Sequence, residues 1–453
     1  LIDMVQNKGR DYNRQIIQMK YGAKLQDFKN RLREFAPAKT SSTEVGLYRD
    51  KLEQIINFAQ RPTVPRWSQV ATSAGYAWTM GLNLSSAAIT TFDVFMSTAP
   101  RLMGRYGDKA TFEAMGTATM ILARSPKEKT VQVMGSNGKM TNRKVNTGIA
   151  GFSIANYDFD AAGLPKELRD IEVLAEVATE NAQINQTLNQ EQLDMGNTKD
   201  VMEKINSWNS FLFHHAERYN REVAMTATYM LELQRMRDSK KGELTIAEKR
   251  QAAMTAVSET ELTLGATASA GRPVAAQSGL GNMAMLFKRF AISKYYMMAR
   301  MTDEAFKTAK TEDDKANRKI AQKQLGRFLV ITGLFAGVAG MPLMGALGQI
   351  YDFFVDDDED DFDAMLRKTI GEGLYKGVVN EALGVEVASR ISLNSLLYRP
   401  PIIEKDQSQF FTLIEQLGGP IVGIGLSIER GFGLVQEGEL LKGAEAILPA
   451  AAR

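Results

Sequence analysis

Apolar residues recur at intervals of three and four along most of this chain, which is the spacing of one face of an α-helix. Two such stripes occur near the start of the chain, separated by Pro37 and the polar positions 40–43. They run through Ile17, Tyr21, Leu25, Phe28, Leu32 and Phe35, and through Val45, Tyr48, Leu52, Ile55 and Ala59. We predict a helical hairpin over residues 1–66, whose basic outer faces are either solvated surface or a contact for a partner or nucleic acid.

Residues 124–153 break this pattern and read as two strands joined by a turn. Positions 130–133 alternate Thr and Gln with Val, and Asn137-Gly138 is a strong turn signal. Cations concentrate here, so we predict a basic hairpin that contacts DNA phosphates or lipid, or else a solvated excursion. The candidate contact residues are Lys127, Lys129, Lys139, Arg143 and Lys144.

The helical pattern resumes over residues 165–265, and we assign residues 67–270 to one helical domain that carries the basic hairpin. One stripe runs through Val201, Ile205, Trp208, Leu212, His215, Tyr219 and Val223. His215 therefore falls on an apolar face, where we expect a core residue rather than a metal ligand. Glu217 and Arg221 are spaced for an ordinary helix ion pair.

A loop rich in Gly, Ala and Ser over residues 265–281 precedes a third region, 271–351, of amphipathic and apolar helices. Its first helix interleaves Met and Phe with cations, among them Lys288 and Arg289, which we regard as candidate contacts to nucleic acid or lipid. The pattern is typical of an interfacial or partner-docking helix. A core helix whose Lys and Arg side chains extend to the solvent is the alternative.

The stretch from Phe328 to Ile350 contains no charged residue and is long enough to cross a bilayer. Gly333 and Gly337 form a GxxxG pair that permits close helix contact. The candidate membrane or helix-packing residues are Phe328, Gly333, Gly337, Gly340 and Pro342. We expect a straight span, a bent hairpin or a buried helix of an oligomer. For the uncharged residues 67–92, a membrane span and a buried helix pair fit equally well.

Residues 352–453 form an acidic, Gly-rich helical region. It begins with the run Asp356–Asp361, which we expect to be a solvated loop, with Ca²⁺ binding as a minor alternative because the spacing of an EF-hand is missing. Residues 417–428 are apolar but too short to cross a bilayer alone, so they suit a re-entrant or interfacial hairpin.

Composition narrows the chemistry available to these 453 residues. There is no Cys, and the two His are the adjacent His214 and His215. We therefore expect no catalytic residues, cofactor or metal site in this chain, and no enzyme activity. The alternatives are an integral or peripheral membrane protein and an enzyme with an unrecognised carboxylate site. For the enzyme, Glu172, Glu176, Glu217 and Glu222 would be the residues to substitute.

Charge is balanced overall, at a formal +2, but separated along the chain. Residues 1–66 contain 13 Lys or Arg and 7 Asp or Glu, whereas residues 352–453 contain 9 and 18. Such separation predicts different partners for the two ends, with anionic partners at the basic end. Because the chain starts at Leu1 and lacks a signal-peptide pattern, we expect a fragment of a longer protein.

Three stretches resemble very large bacteriophage proteins. Residues 81–89 are similar to a small-residue LGxNxSSA pattern, and residues 217–221 (Glu-Arg-Tyr-Asn-Arg) and 281–290 also match. The last stretch ends Phe-Lys-Arg-Phe and keeps only the Arg-Phe of a PLxRFG signature, because Leu286, Phe287 and Ala291 differ from it. The resemblance covers about residues 65–430. These phage proteins look like the C-terminal part of the large internal core, or ejection, protein of T7-like podophages.

The resemblance implies a protein packed in the capsid core near the portal and expelled into the host envelope at infection. There it would help to form an oligomeric conduit for the genome. The implied partners are further copies of the chain, other internal core proteins, the portal, the host membrane and double-stranded DNA bound without sequence specificity. A transglycosylase domain found elsewhere in such proteins has no counterpart here. The expected fold is mainly α: an elongated multi-helix protein with one small β-hairpin and membrane-competent helices.

Overall fold

The computed structural model of the protein describes nine main ranges: 90–126, 128–134, 140–146, 152–159, 165–181, 211–240, 242–265, 288–338 and 362–377. Short pieces are described at 26–31, 34, 49–54, 56–57, 67–68, 428–429, 432–436 and 439. Side chains are described except in the two strands and at 166–167, 211–214, 288–293, 336 and 362–363. Most described residues are helical, which confirms the mainly α prediction.

A π-helical turn, Val94–Thr98, leads into helices α1 (Ala99–Tyr106) and α2 (Asp108–Ala123). Pro100 lies in the first turn of α1, where its missing N–H costs no helical hydrogen bond. Gly107, with φ of +93°, turns the chain between the two helices. Leu102, Met115 and Leu122 from these helices are buried in the main hydrophobic core.

Strands β1 (Glu128–Met134) and β2 (Met140–Asn146) pair antiparallel, with Glu128 opposite Asn146 and Met134 opposite Met140. Residues 135–139 and the strands' side chains lie outside the description. The contact function predicted for the basic residues of this region therefore stays a prediction.

Three helices complete the main core: α3 (Lys166–Glu180), α4 (Phe211–Lys240) and α5 (Ile246–Leu264). Helix α4 is about 45 Å long at 1.5 Å per residue. It packs against α2 and α5, and every residue from 220 to 229 is buried. A helix covered on all sides is the centre of a bundle rather than its surface. Helix α5 starts with a capping box, in which Thr245 and Glu248 satisfy each other's backbone N–H.

Helices α6 (Lys288–Phe306) and α7 (Glu312–Ala336) follow one another along the chain and pack together, with α7 also against α1. Met297 and Met301 of α6 are fully buried against Phe328 of α7. A second capping box, Thr311 with Asp314, starts α7. The Met-rich face of α6 is thus at least partly a core face, as the second of the two sequence interpretations expected.

The straight-span interpretation of Phe328 to Ile350 is wrong. Phe328 lies inside α7, most of which is hydrophilic, and that helix ends at Ala336 because Gly337 adopts φ of +69°. Among the described residues, no helix is long and apolar enough to cross a membrane. Gly340, Pro342 and the rest of 339–350 lie outside the description, as do 69–89 and 417–427.

Helices α8 (Phe362–Ile370) and α9 (Glu372–Lys376) follow, and the end of α9 meets the end of α7. Val338 N donates to Leu374 O at 3.1 Å. A Cβ on Gly337 would collide with Tyr375 O, and one on Gly377 would lie 2.6 Å from Phe335 O. The role predicted for Gly337 in a GxxxG helix contact is therefore replaced by a close backbone crossing with Gly377.

In the N-terminal region, residues 26–31 and 49–54 are helical, and Lys29 Nζ donates to Asn57 Oδ1 at 2.7 Å. The rest of the predicted hairpin, the loop 266–281, the acidic run 356–361 and nearly all of 378–453 lie outside the description. The predicted domain boundaries stay predictions.

Candidate functional site

The stretch Glu217–Arg221, one of the three that resemble the phage proteins, lies in the middle of α4 and connects four parts of the bundle. Asn220 Nδ2 donates to Thr90 O ahead of the π-helical turn. Tyr219 Oη lies 3.1 Å from Thr119 Oγ1 of α2. Arg221 donates to Leu264 O at the end of α5. This stretch is therefore a polar junction within the core.

Two ion pairs within α4 neutralise this junction. Arg221 Nη2 lies 3.2 Å from Glu217 Oε1, which confirms the predicted pair. Arg218 Nε lies 2.9 Å from Glu222 Oε1 at the same four-residue spacing. Three of these side chains are at least four-fifths buried, so each pair lies in a low dielectric where an unpaired charge would be costly.

Glu222 is fully buried and also accepts a hydrogen bond from Ile154 N at 2.7 Å. Burial raises the pKa of this carboxyl, and Arg218 opposes the rise. The carboxylate holds the short 3-10 turn Ile154–Asn156 against α4. Glu222 thus positions the chain that follows strand β2.

A second buried carboxylate, Glu232, lies further along α4 and gathers three donors. Tyr106 Oη donates to it at 2.6 Å, and Arg105 and Arg235 lie 3.1 and 2.7 Å away. Burial and the hydrogen bond to Glu232 raise the pKa of the Tyr106 hydroxyl, so it remains a donor. Glu232 therefore fixes the end of α1 to α4.

Lys294 of α6 is the most deeply buried cation among the described residues. Its Nζ lies 2.8 Å from Asp93 Oδ1, and it donates to Thr263 O at 2.6 Å and to Ser97 Oγ. Ser97 in turn donates to Asp93 at 2.8 Å. Burial lowers the pKa of Lys294, while Asp93 favours its charged form.

The π-helical turn explains how Asp93 and Ser97 come to face the same ammonium group. In this turn Ala99 N donates to Val94 O, five residues back, where an α-helix would use the residue four back. This wider turn interrupts the regular helix just before Pro100. Thr98 from the same turn contacts Thr263 Oγ1 at 3.0 Å. The turn thereby joins α5 and α6 to α1.

Two further groups of charged contacts join helices of the bundle. Arg101 of α1 forms a bidentate pair with Glu259 of α5, and Gln324 of α7 donates to the Arg101 carbonyl at 3.0 Å. Asp170 of α3 accepts from Arg237 at 2.5 Å and from Lys249 at 2.6 Å. Burial raises the pKa of Asp170, but Lys249 and Arg237 together lower it by more. The net effect is a pKa below the ordinary value for an aspartate.

The arrangement at Ser97 and Lys294 has the residue types of a nucleophile and a base, but its geometry favours a structural role. The hydroxyl donates to Asp93 and accepts from Lys294, and both side chains are almost fully buried. A substrate would have to displace the π-helical turn to reach Ser97. The cluster instead joins that turn to α5 and α6 through charge-assisted hydrogen bonds.

His215 is half-buried, and burial together with Arg218 lowers its pKa, so the neutral form is favoured. In the described part of the chain, no group of three or more His, Asp or Glu is arranged to hold a metal ion. Of the four carboxylates singled out for a hidden enzyme site, Glu217 and Glu222 lie in the α4 junction, whereas Glu176 is exposed on α3.

The side chains of the sequence-predicted contact residues all lie outside the description. Lys127 and Lys139 lie outside the description, and Lys129, Arg143, Lys144, Lys288 and Arg289 are described as backbone alone. Sequence analysis missed Asp93, Glu232 and Lys294. Lys294 occurs on the same helical face as Met297 and Met301, and a charge at a core position of an apolar stripe is the signal that could have revealed it.

No protein-family model, curated protein or solved structure matches this chain.

Proposed function

We propose that the chain belongs to an internal virion protein of a T7-like podophage, packed near the portal and expelled at infection. In the host envelope it helps to form an oligomeric conduit for genome delivery. Its proposed partners are further copies of itself, other core proteins, the portal, double-stranded DNA and the host membrane. This segment acts structurally rather than as an enzyme.

One observation carries this proposal: the stretch 217–221, which contributes to the phage resemblance, lies at the polar junction of the core. Its side chains contact the chain at Thr90, helix α2 and the end of α5. One of the three stretches that carry the resemblance thus lies where several helices are connected, and such a position is more informative about architecture than an exposed one. It supports a shared helical scaffold.

The chemistry of the junction also suits a protein that must leave a particle through a narrow opening. Such passage requires unfolding and rapid refolding. Three carboxylates of α4, Glu217, Glu222 and Glu232, have an arginine partner three or four positions away on the same helix. These pairs re-form as soon as α4 forms, because local contacts cost little loop-closure entropy.

The decisive experiment follows the protein during infection. Mass spectrometry of purified particles should detect the chain's peptides inside the capsid, protected from added protease. After infection the same peptides should be found in the host envelope fraction, in reduced amount in the emptied particles. A capsid-shell protein, which stays outside, is the internal control. Absence of the chain from particles, or its retention after genome release, would contradict the proposal.

A further inference from the structure

Helix α7 has an outer face that the described part of the bundle leaves uncovered. Five residues at spacings of three and four form it: Lys319, Lys323, Gly326, Val330 and Leu334. They span about 22 Å of helix. Val330 and Leu334 are 62% and 45% exposed, and a Cβ on Gly326 would meet nothing within 4 Å. We call these five residues the α7 outer face.

The α7 outer face changes character along its length. The amino-terminal half presents Lys319 and Lys323, which form no ion pair with another described residue. The carboxy-terminal half is apolar and continues to Leu374, which is 56% exposed beside the α7–α9 crossing. An exposed apolar patch bordered by charge is typical of a protein-binding surface. Its partner should be apolar at one end and acidic at the other.

Residues 341–361 of the sequence have this composition in antiparallel order. Leu343, Met344 and Leu347 come first, and the acidic run Asp356–Asp361 follows. The separation along the chain from Lys319 to Val330 equals that from Ile350 to Asp361, and the separation from Lys323 to Val330 equals that from Ile350 to Asp357. An antiparallel alignment thus places apolar residues against apolar ones and carboxylates against lysines.

We propose that the α7 outer face binds the 341–361 sequence of a second copy of this chain. The two complementary surfaces are different parts of one chain, so the contact is head-to-tail and repeats from copy to copy. Such a contact builds rings or filaments rather than closed dimers. This inference rests on the oligomer of the proposed function and deepens it by naming the interface.

Sedimentation equilibrium of the whole chain at low and high salt tests the inference. We expect wild type to associate beyond the dimer at low salt and to dissociate as salt screens the lysines. K319E/K323E, and separately Asp357, Asp358, Asp360 and Asp361 changed to Lys, should each raise the dissociation constant by roughly tenfold or more. A chain that carries both sets of reversals should recover association.

Matched variants separate the contact from general charge effects. K109E/K307E makes the same change in net charge at exposed positions that are not among the five residues of the face and should associate like wild type. V330Q/L334Q should weaken association without changing its dependence on salt. The neutral K319Q/K323Q repeats the lysine test with a smaller perturbation, and circular dichroism checks that each variant is folded.

Three outcomes would overturn the inference: a wild-type chain that is monomeric at every salt concentration, a K319E/K323E variant that associates like wild type, or no recovery in the charge-swapped chain. The first includes the case in which 341–361 binds the face of its own chain. Failure here leaves the particle fractionation result unaffected, and absence of the protein from particles leaves the sedimentation result unaffected.

Discussion

Lys294 shows at the residue scale how strongly the network depends on paired charges. Lys294→Met would leave Asp93 buried without its cation, and we expect a loss of about 3–5 kcal/mol in the free energy of unfolding. Urea denaturation followed by circular dichroism measures this loss. Lys109→Met, at an exposed position on α2, should change stability by less than about 0.5 kcal/mol. Equal effects at the two positions would contradict a structural role for Lys294.

Asp170 gives the network a defined dependence on pH. Its cations lower its pKa in the folded state below the usual 3.8, so its contribution is present above that pH and is lost as pH falls through the folded-state pKa. Asp170→Asn should therefore be less stable than wild type at pH 7, and the difference should shrink below about pH 4. Thermal unfolding of both proteins between pH 7 and 3 tests this, and a difference independent of pH would contradict it.

At the scale of the element, two glycines of the α7 region should respond oppositely to alanine. Gly337→Ala requires a positive φ and places Cβ against Tyr375 O, so we expect a loss of about 1–3 kcal/mol. Gly326→Ala meets open space within a helix and should gain about 0.5–1 kcal/mol. The thermal unfolding midpoints of the two variants and of wild type measure these changes. A lower midpoint for Gly326→Ala than for wild type would contradict the prediction at that position.

The elements themselves were largely predictable, because their signals are local. The helix over residues 211–223 and the ion pair Glu217–Arg221 follow from the period of an α-helix, and His215 is half-buried where a core residue was predicted. The end of α7 could not be predicted in this way, because the apolar run continues through Gly337. Gly337 adopts a positive φ beside Tyr375 and Gly377, which are distant in the sequence. The pairing of Lys294 with Asp93 likewise joins residues far apart in the chain, which no local pattern encodes.

At the scale of the whole molecule, separated charge predicts sequence-independent binding of DNA. Neutralising Lys127, Lys129, Lys139, Arg143 and Lys144 to Gln should weaken binding to random duplexes and reduce the salt slope of log K by up to about 0.9 per lost phosphate contact. Fluorescence anisotropy across a salt series measures both quantities. An unchanged affinity and slope would remove this strand pair as the contact, and K109Q serves as the control.

The crossing of Gly337 and Gly377 has a practical consequence for engineering the protein. Gly337 at the end of α7 and Gly377 after α9 lie side by side, so the two ends of the stretch between them are neighbours. Lengthening a stretch whose ends already meet adds little entropic cost, since that cost grows only logarithmically. A short epitope tag inserted after position 339, ahead of the 341–361 sequence, would report where each copy travels while α7 and α9 keep their packing.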